Sequence, residues 1–385
     1  MWLILAVIAV VVVWASETYL GLASYYRTEW NMGPSFRGDS LVRGWIRWDA
    51  NWYSGIARNG YFYRVDEQSS VAFFPLYPML MRAVGSLSLD SYVAGMLISL
   101  AAGLGTVMLF SRWCRVHLSA AEAWTALLCL ILYPYAFYLF GVVYADTLFV
   151  ALALAAFVAL ERRRPMLAGC FGLLAALTRP VGIALLLGLV VLLLEQRGVV
   201  GRAVEPGSSL RSRLGRLRPA DAGVLLTGVG LLGYMTYLWR TFGDPLAFAA
   251  TQSAPGWNLD PGPRTWFKVR VWELMTGAVA EPPGYLQGAI LQGIIGIACL
   301  ATVPTIVRRF GWGYGVYVAV AVAFSLVQLK DFHGLGRHAL AAFPAFAVFG
   351  IWLVQRPALR RPALATSGVL LLLLTSWYAR GYYLT

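Results

Sequence analysis

The chain has 385 residues, of which 59% are hydrophobic and only 13% charged, and its mean hydropathy is +0.66. These proportions exclude a water-soluble globular protein and place it among polytopic membrane proteins. The net charge of +13 does not point to nucleic acid, because its arginines gather in short connections between apolar runs, the signature of a cytoplasmic membrane face.

Apolar runs long enough to cross a bilayer, about 20 helical residues each, lie at 1–20, 89–111, 119–141, 146–161, 220–240, 286–307, 313–329, 338–354 and 363–379. The first has no basic stretch before its apolar core, unlike a secretory signal, and is expected to stay as a membrane helix. Arg112 and Arg115, Arg162 to Arg164, Arg197 to Arg218, Arg308 and Arg309, and Arg356 to Arg361 all fall in short connections. They share that side with only Glu122, Glu161, Glu195, Glu205 and Asp221. That side reads as cytoplasmic, and the nearly neutral loops at about 21–88, 241–285 and 330–337 read as extracytoplasmic.

A further apolar stretch, 166–194, is interrupted by Thr178–Arg179–Pro180. One long helix here would carry the arginines of 197–218 outside and invert every later segment. Two short helices that enter and leave on the cytoplasmic side avoid this, and irregular backbone at depth is tolerated where it lines a cavity. The expected fold is therefore an all-α polytopic bundle of about eleven membrane segments. It forms a single domain over 1–385, with the N-terminus inside and the C-terminus outside. The segment Arg197–Pro219 reads as a flexible cytoplasmic connection near anionic headgroups. Cys114, Cys129, Cys170 and Cys299 show no paired spacing, so neither a disulfide nor a zinc site is implied.

In the first loop, Trp45, Trp48, Trp52 and Ile56 recur at helical spacing. They would form the apolar stripe of an amphipathic helix lying in the membrane interface, with Arg43, Arg47, Asn51, Ser54 and Arg58 on its other side. Asp49 falls inside that stripe. A carboxylate there must be paired, neutralised or used. Service as a general base and an ion pair with Arg47 or Arg179 are the competing readings. Further on, Pro75 and Pro78 break any regular helix in Phe73–Phe74–Pro75–Leu76–Tyr77–Pro78, leaving a rigid apolar turn beside the Asp49 helix.

The assigned topology brings other polar residues to the same outer face, including Tyr144, Asp146, Arg179, Lys330, His333, Arg337 and His338. Asp146 opens a membrane segment and reads equally as a helix cap and as a second acid in a cavity. A buried guanidinium at Arg179 requires a salt bridge, to Asp49 or Asp146, or a ligand. The connection 330–338 concentrates two cations and two of the three histidines, which suits a phosphate group. Two histidines among scattered acids have no metal-ligand spacing, so no metal is expected.

These residues carry a resemblance. Arg47–Trp48–Asp49–Ala50–Asn51–Trp52–Tyr53 with Gly60–Tyr61, followed by Ala72–Phe73–Phe74–Pro75–Leu76–Tyr77–Pro78, resembles the first luminal loop of the PIG-V family of GPI mannosyltransferases and its bacterial relatives. Weaker matches lie in Tyr133–Pro134 through Asp146, in Thr178–Arg179–Pro180, and in Gly336–Arg337–His338 through Pro344. Position 146 is aspartate where that family often has glutamate, and 338 is histidine where an aromatic is common.

The resemblance implies the GT-C class of glycosyltransferases, a polyprenyl-phosphate sugar donor, and Asp49 as catalytic base. The expected function is an inverting, polyprenyl-phosphate-mannose-dependent mannosyltransferase. It would act on a glycolipid or cell-envelope glycan at the outer face of a bacterial cytoplasmic membrane, without cofactor or nucleic acid. Arg337, Arg179, His333, His338 and Lys330 are the expected ligands of the donor phosphate. Trp48, Asn51, Trp52, Tyr53, Phe74, Tyr77, Tyr144 and Asp146 are the expected substrate contacts. A GT-C enzyme for another sugar is one rival. The other, a lipid-sugar flippase, predicts inverted repeats, and the sequence shows none.

Overall fold

The computed structural model describes residues 1–23, 38–201, 204 and 207–384. Arg202 and Glu205, counted among the cytoplasmic charges, lie outside the described residues, as does 24–37 of the first loop. Among the described residues every regular element is a helix. Trp2–Leu20, Ser91–His117, Pro219–Phe242, Tyr285–Phe310 and Pro357–Ala379 are long and apolar enough to cross a bilayer. Leu335–Ala341 and Phe343–Val354 form a pair bent by 86°, which brings the count to six if it is one span. The chain is thus a multi-pass membrane protein.

Several of the expected segments turn out to be short helices: Ala120–Ile131 and Pro165–Ala176 of 12 residues, Gly182–Gln196 of 15 and Trp312–Gln328 of 17. The physical reason lies in the breaks. The 119–141 run is helical only to Ile131 and resumes as a 3₁₀ turn over Ala136–Phe140, on either side of Pro134, which has no N–H to donate. The break in 166–194 is present where the arginine and proline predict it. There Thr178 Oγ1 donates to the Ala175 carbonyl at 2.6 Å, and the Leu177 carbonyl accepts from Leu76 N at 2.9 Å. That second bond docks the first loop onto the break.

Small residues let these helices approach closely, as expected where lipid offers no hydrophobic driving force between them. A Cβ on Gly169 would sit 1.7 Å from the Gly223 carbonyl oxygen, one on Gly172 2.0 Å from Thr227 Oγ1, and one on Gly350 2.6 Å from Ala126 N. Gly169→Ala is therefore expected to cost at least about 2 kcal/mol, because the obstacle is a backbone carbonyl and cannot rotate away. Gly55→Ala, on a helix with nothing within 4 Å of the added Cβ, is expected to stabilise by about 0.5–1 kcal/mol. Thermal unfolding in detergent distinguishes the two directions.

The end of the bundle away from the first loop is locked by carboxylates. Glu161 accepts from Tyr314 Oη at 2.6 Å and lies 2.8 Å from His117 Nε2. Glu195 accepts from the backbone N–H of Trp312 and Gly313, both at 2.8 Å, and so satisfies the open N-terminus of Trp312–Gln328. The Arg197–Pro219 connection is tied rather than free at its ends: Arg197 grips Asp221 through both Nε, at 2.8 Å, and Nη2, at 2.5 Å.

The first loop departs from the sequence reading. Trp48 takes a left-handed backbone, φ 51°, and the helix begins only at Ala50, running to Asn59. Trp45 and Trp48 therefore do not continue the face of Trp52 and Ile56. The polar side is not turned outward either, since Arg47, Asn51 and Ser54 are buried. Asn51 Oδ1 accepts from Tyr92 Oη at 2.7 Å, Ser54 shares a hydrogen bond with Ser91 at 2.6 Å, and Arg47 pairs with Glu17 and the Ala379 carbonyl. The helix is amphipathic, but its polar side packs on the start of Ser91–His117, while Arg47, just before it, is tied to Glu17 and Ala379 near the chain's two ends.

Candidate active site

Asp49 occupies the N-cap position of Ala50–Asn59, yet its carboxylate makes no capping bond. Its backbone N–H instead donates to Tyr144 Oη at 3.0 Å, which leaves the side chain to other partners. That partner is Arg337: Nη1 donates to Asp49 Oδ2 at 2.8 Å. The ion pair expected with Arg47 or Arg179 is thus made with neither, because Arg47 is consumed by Glu17 and Arg179 by Asp146.

Asp146 is the first residue of Asp146–Glu161, where the positive end of the helix dipole favours a carboxylate. Its Oδ1 pairs with Arg179 Nη1, and its Oδ2 lies 4.0 Å from Arg337 Nη1. The other Arg179 amino group meets His338 Nε2. His338 Nδ1 is 3.0 Å from Ser325 Oγ, whose hydroxyl donates to the Ala321 carbonyl at 3.1 Å. This chain makes His338 a neutral imidazole that accepts from Arg179 and donates to Ser325.

Arg337 and His338 sit on the short turn Leu335–His338 at the 86° bend. The turn is held from outside. Gln292 Oε1 accepts from Gly334 N at 2.8 Å and Gly336 N at 2.9 Å, and Tyr133 Oη donates to the Gly336 carbonyl at 2.9 Å. A side chain at 336 would strike the Tyr135 ring at 2.6 Å, so glycine is what allows the turn to press inward. The Arg337 guanidinium lies over the Tyr144 ring, 5.0 Å from its centroid.

Arg179, Arg337, His338, Asp146, Ser325 and Gln328 contribute the polar lining of a small pocket whose apolar walls include Phe149, Val181 and Phe324. One carboxylate and two guanidiniums thus line a pocket where four separate chain segments meet, and Asp49 joins it through its bond to Arg337.

No protein-family model matches the chain, and no curated protein sequence does. Among solved structures, it is similar to ArnT from Cupriavidus metallidurans bound to undecaprenyl phosphate, with a TM-score of 0.50 at 16% identity, over 100% of this chain and 75% of that one. The fold is of the GT-C class. Two Archaeoglobus fulgidus oligosaccharyltransferase structures also align, one tethered with an acceptor peptide and one in complex with an inhibitory peptide and a dolichol-phosphate. They match over 99% and 100% of this chain and 55% and 56% of theirs, at 12% and 11% identity and TM-scores of 0.44 and 0.46.

Within this GT-C fold the remaining residues singled out from sequence fall into distinct places. His333 and Lys330 do not line the pocket. His333 is buried against Asp331, with its ring 4.1 Å from that of Tyr285, and Tyr285 Oη donates to Asp331 Oδ2 at 2.7 Å. Lys330 Nζ donates to the Trp257 carbonyl at 3.0 Å. Among the described residues no three His, Cys, Asp or Glu side chains cluster as metal ligands would.

Tyr53, Phe74, Tyr77 and Tyr144 are buried packing residues rather than open surfaces. Phe74 packs on Tyr234, with centroids 4.7 Å apart, and Tyr77 Oη donates to the Gly95 carbonyl at 2.8 Å. Burial first, and the Asp49 carboxylate second, push the Tyr53 phenol up to about 12, so it stays protonated. Asn51 is bound to Tyr92, and Trp48 meets Tyr383 edge-on at 5.0 Å.

Trp52 is only partly buried, and it belongs to a group that sequence reasoning missed. It stacks on Phe73 at 5.6 Å and meets Trp257 at 5.4 Å. All three are half-exposed. Trp257 is pinned there by the Lys330 bond and by Gln68, whose Nε2 donates to the Pro255 carbonyl at 3.1 Å. Gln292 was missed as well. A buried glutamine in an apolar segment was its one signal.

Proposed function

We propose that the chain is an inverting GT-C glycosyltransferase that moves mannose from a polyprenyl-phosphate-mannose to a hydroxyl of a glycolipid or cell-envelope glycan. The single observation that carries this reading is Asp49 standing 2.8 Å from Arg337, which lines one pocket with Arg179. Undecaprenyl phosphate bound to ArnT supports a lipid phosphate as the donor's leaving group. The mannosyl identity rests on the resemblance of the Trp48–Asp49–Ala50 and Phe73–Pro78 motifs.

In this reading the acceptor oxygen attacks the anomeric carbon while Asp49 takes its proton. The bond from that carbon to the phosphate oxygen breaks, and the electron pair leaves with the phosphate. Negative charge grows there as it does, so Arg337 and Arg179 stabilise the transition state more than the ground state. Attack opposite the leaving group converts a β-linked donor into an α-linked product. His338 and Asp146 hold Arg179 in place, and the half-exposed faces of Trp52, Phe73 and Trp257 form a wall for the acceptor. The site faces the extracytoplasmic side of a bacterial cytoplasmic membrane.

The test is to supply purified protein in lipid with radiolabelled polyprenyl-phosphate-mannose and membrane acceptors, with the glucose and arabinose donors in parallel. Label is expected to transfer from the mannosyl donor. Transfer from another donor alone would refute the sugar assignment, and transfer from none would refute the enzyme. Orientation is checked by cysteine labelling: a cysteine at Ser253 is expected to react on intact cells, and one at Ser208 only after permeabilisation. The reverse pattern would invert the topology.

A further inference from the structure

One guanidinium separates the base from the pocket. Arg337 donates through Nη1 to Asp49 at 2.8 Å, its Nε is buried with no acceptor, and its head also lines the pocket beside Arg179 and His338. Asp49, Asp146, Arg179 and Arg337 cancel one another's charge. An arriving phosphate therefore meets cations already committed to carboxylates.

The two arginines are not equally committed. Arg179 is held at both amino groups, by Asp146 and by His338, and His338 is braced in turn by Ser325. Arg337 makes one close bond to a carboxylate and otherwise rests on the Tyr144 ring, a surface that does not fix its angle. The backbone of its turn is held by Gln292 and Tyr133, so the freedom lies in the side chain.

From this geometry we infer that Asp49 and the donor's lipid phosphate compete for Arg337, so that donor binding itself unmasks the base. The inference rests on reading the pocket as a polyprenyl-phosphate site. Without donor, Asp49 Oδ2 is occupied by the Arg337 guanidinium, so that oxygen is not open to an acceptor hydroxyl. With donor, Arg337 turns to the phosphate and Asp49 is left facing the acceptor hydroxyl. The acceptor's proton then goes to Asp49 as its oxygen bonds to the anomeric carbon, the bond from that carbon to the phosphate oxygen breaks, and the phosphate leaves with the electron pair and keeps Arg337. When the phosphate departs, Asp49 passes its proton to water, Arg337 returns to the carboxylate and the base is masked again. Donor binds before acceptor in this scheme.

The test measures binding of undecaprenyl phosphate to purified wild type, Asp49→Asn, Arg337→Gln and the double variant, each shown to be folded by thermal unfolding. Asp49→Asn is expected to bind about tenfold more tightly than wild type, equivalent to ~1.4 kcal/mol, although it cannot catalyse transfer. In the Arg337→Gln background the same change is expected to produce no gain, since the contested cation is absent. An unchanged or weakened affinity in Asp49→Asn would overturn the inference. So would a gain of equal size in both backgrounds, which is what general charge repulsion predicts. Failure of wild type to bind the lipid phosphate at all would overturn the reading of the pocket beneath it.

Discussion

Replacing Asp49 with asparagine is expected to lower glycosyl transfer by about a hundred- to ten-thousand-fold, the range that a positioned general base contributes. The fold should survive this change. Asp49 makes no capping bond to Ala50–Asn59, the backbone bond to Tyr144 does not involve its side chain, and Arg337 keeps Asp146 at 4.0 Å. The measurement is initial-rate transfer from radiolabelled donor, read beside circular dichroism and thermal unfolding of the same preparation. Equal rates in both proteins would remove Asp49 from the chemistry and leave it as an ion-pair partner only. Asp49→Glu is the informative companion: it keeps the carboxylate but extends it by a methylene, so it should retain part of the activity if a proton acceptor is what the site requires.

The second large effect is expected at Asp146. Its side chain is 3% exposed, and it is the carboxylate that neutralises Arg179. Asp146→Ala leaves that guanidinium with a neutral imidazole as its remaining partner and also strips Arg337 of its second carboxylate. Breaking a buried ion pair by removing one member costs about 3–5 kcal/mol, because the surviving charge has lost its water without compensation. The unfolding temperature in detergent should fall markedly and transfer should be lost with it. Asp146→Asn should lower stability in the same direction. A variant as stable as wild type would show that Arg179 finds another acceptor, which would undercut its assignment to a preorganised phosphate site.

The two cases differ in what could be read in advance. Asp49, Asp146, Arg179 and Arg337 were each visible as local anomalies: charges placed within or beside apolar runs, where an unpaired ionisable group is expensive. The break at Thr178–Arg179–Pro180 was visible for the same reason, since proline and arginine both oppose a continuous apolar helix. Pairing was visible only in part: Asp146 was one of two partners open to Arg179, but the partner of Asp49 was not. The residues of the Asp49–Arg337 bond are 288 positions apart, and each of Asp49, Arg47 and Arg179 offered a chemically sensible partner for another. Burial in the first loop was misread too. A helical stripe of tryptophans next to a polar side suits a membrane interface as well as it suits a loop packed on a bundle, and only the neighbours of Asn51 and Ser54 distinguish them.

Composition and charge pattern alone determined that this is an all-helical, multi-pass membrane protein, because transfer energies and the distribution of arginine act on each segment locally. Motif and anomaly alone determined which ionisable side chains to consider. The tertiary structure decided which of them share one cavity. It gathered Arg179, Arg337, His338 and Asp146 around a pocket and bonded Asp49 to its Arg337, sent His333 to Asp331 and Lys330 to Trp257, and brought Trp257 of the 241–285 loop to Trp52 and Phe73 of the first. The reason is physical. Whether a charge is paired depends on which short, broken helices pack side by side, and that is set by glycine-sized close approaches between segments far apart in sequence, which no local pattern encodes.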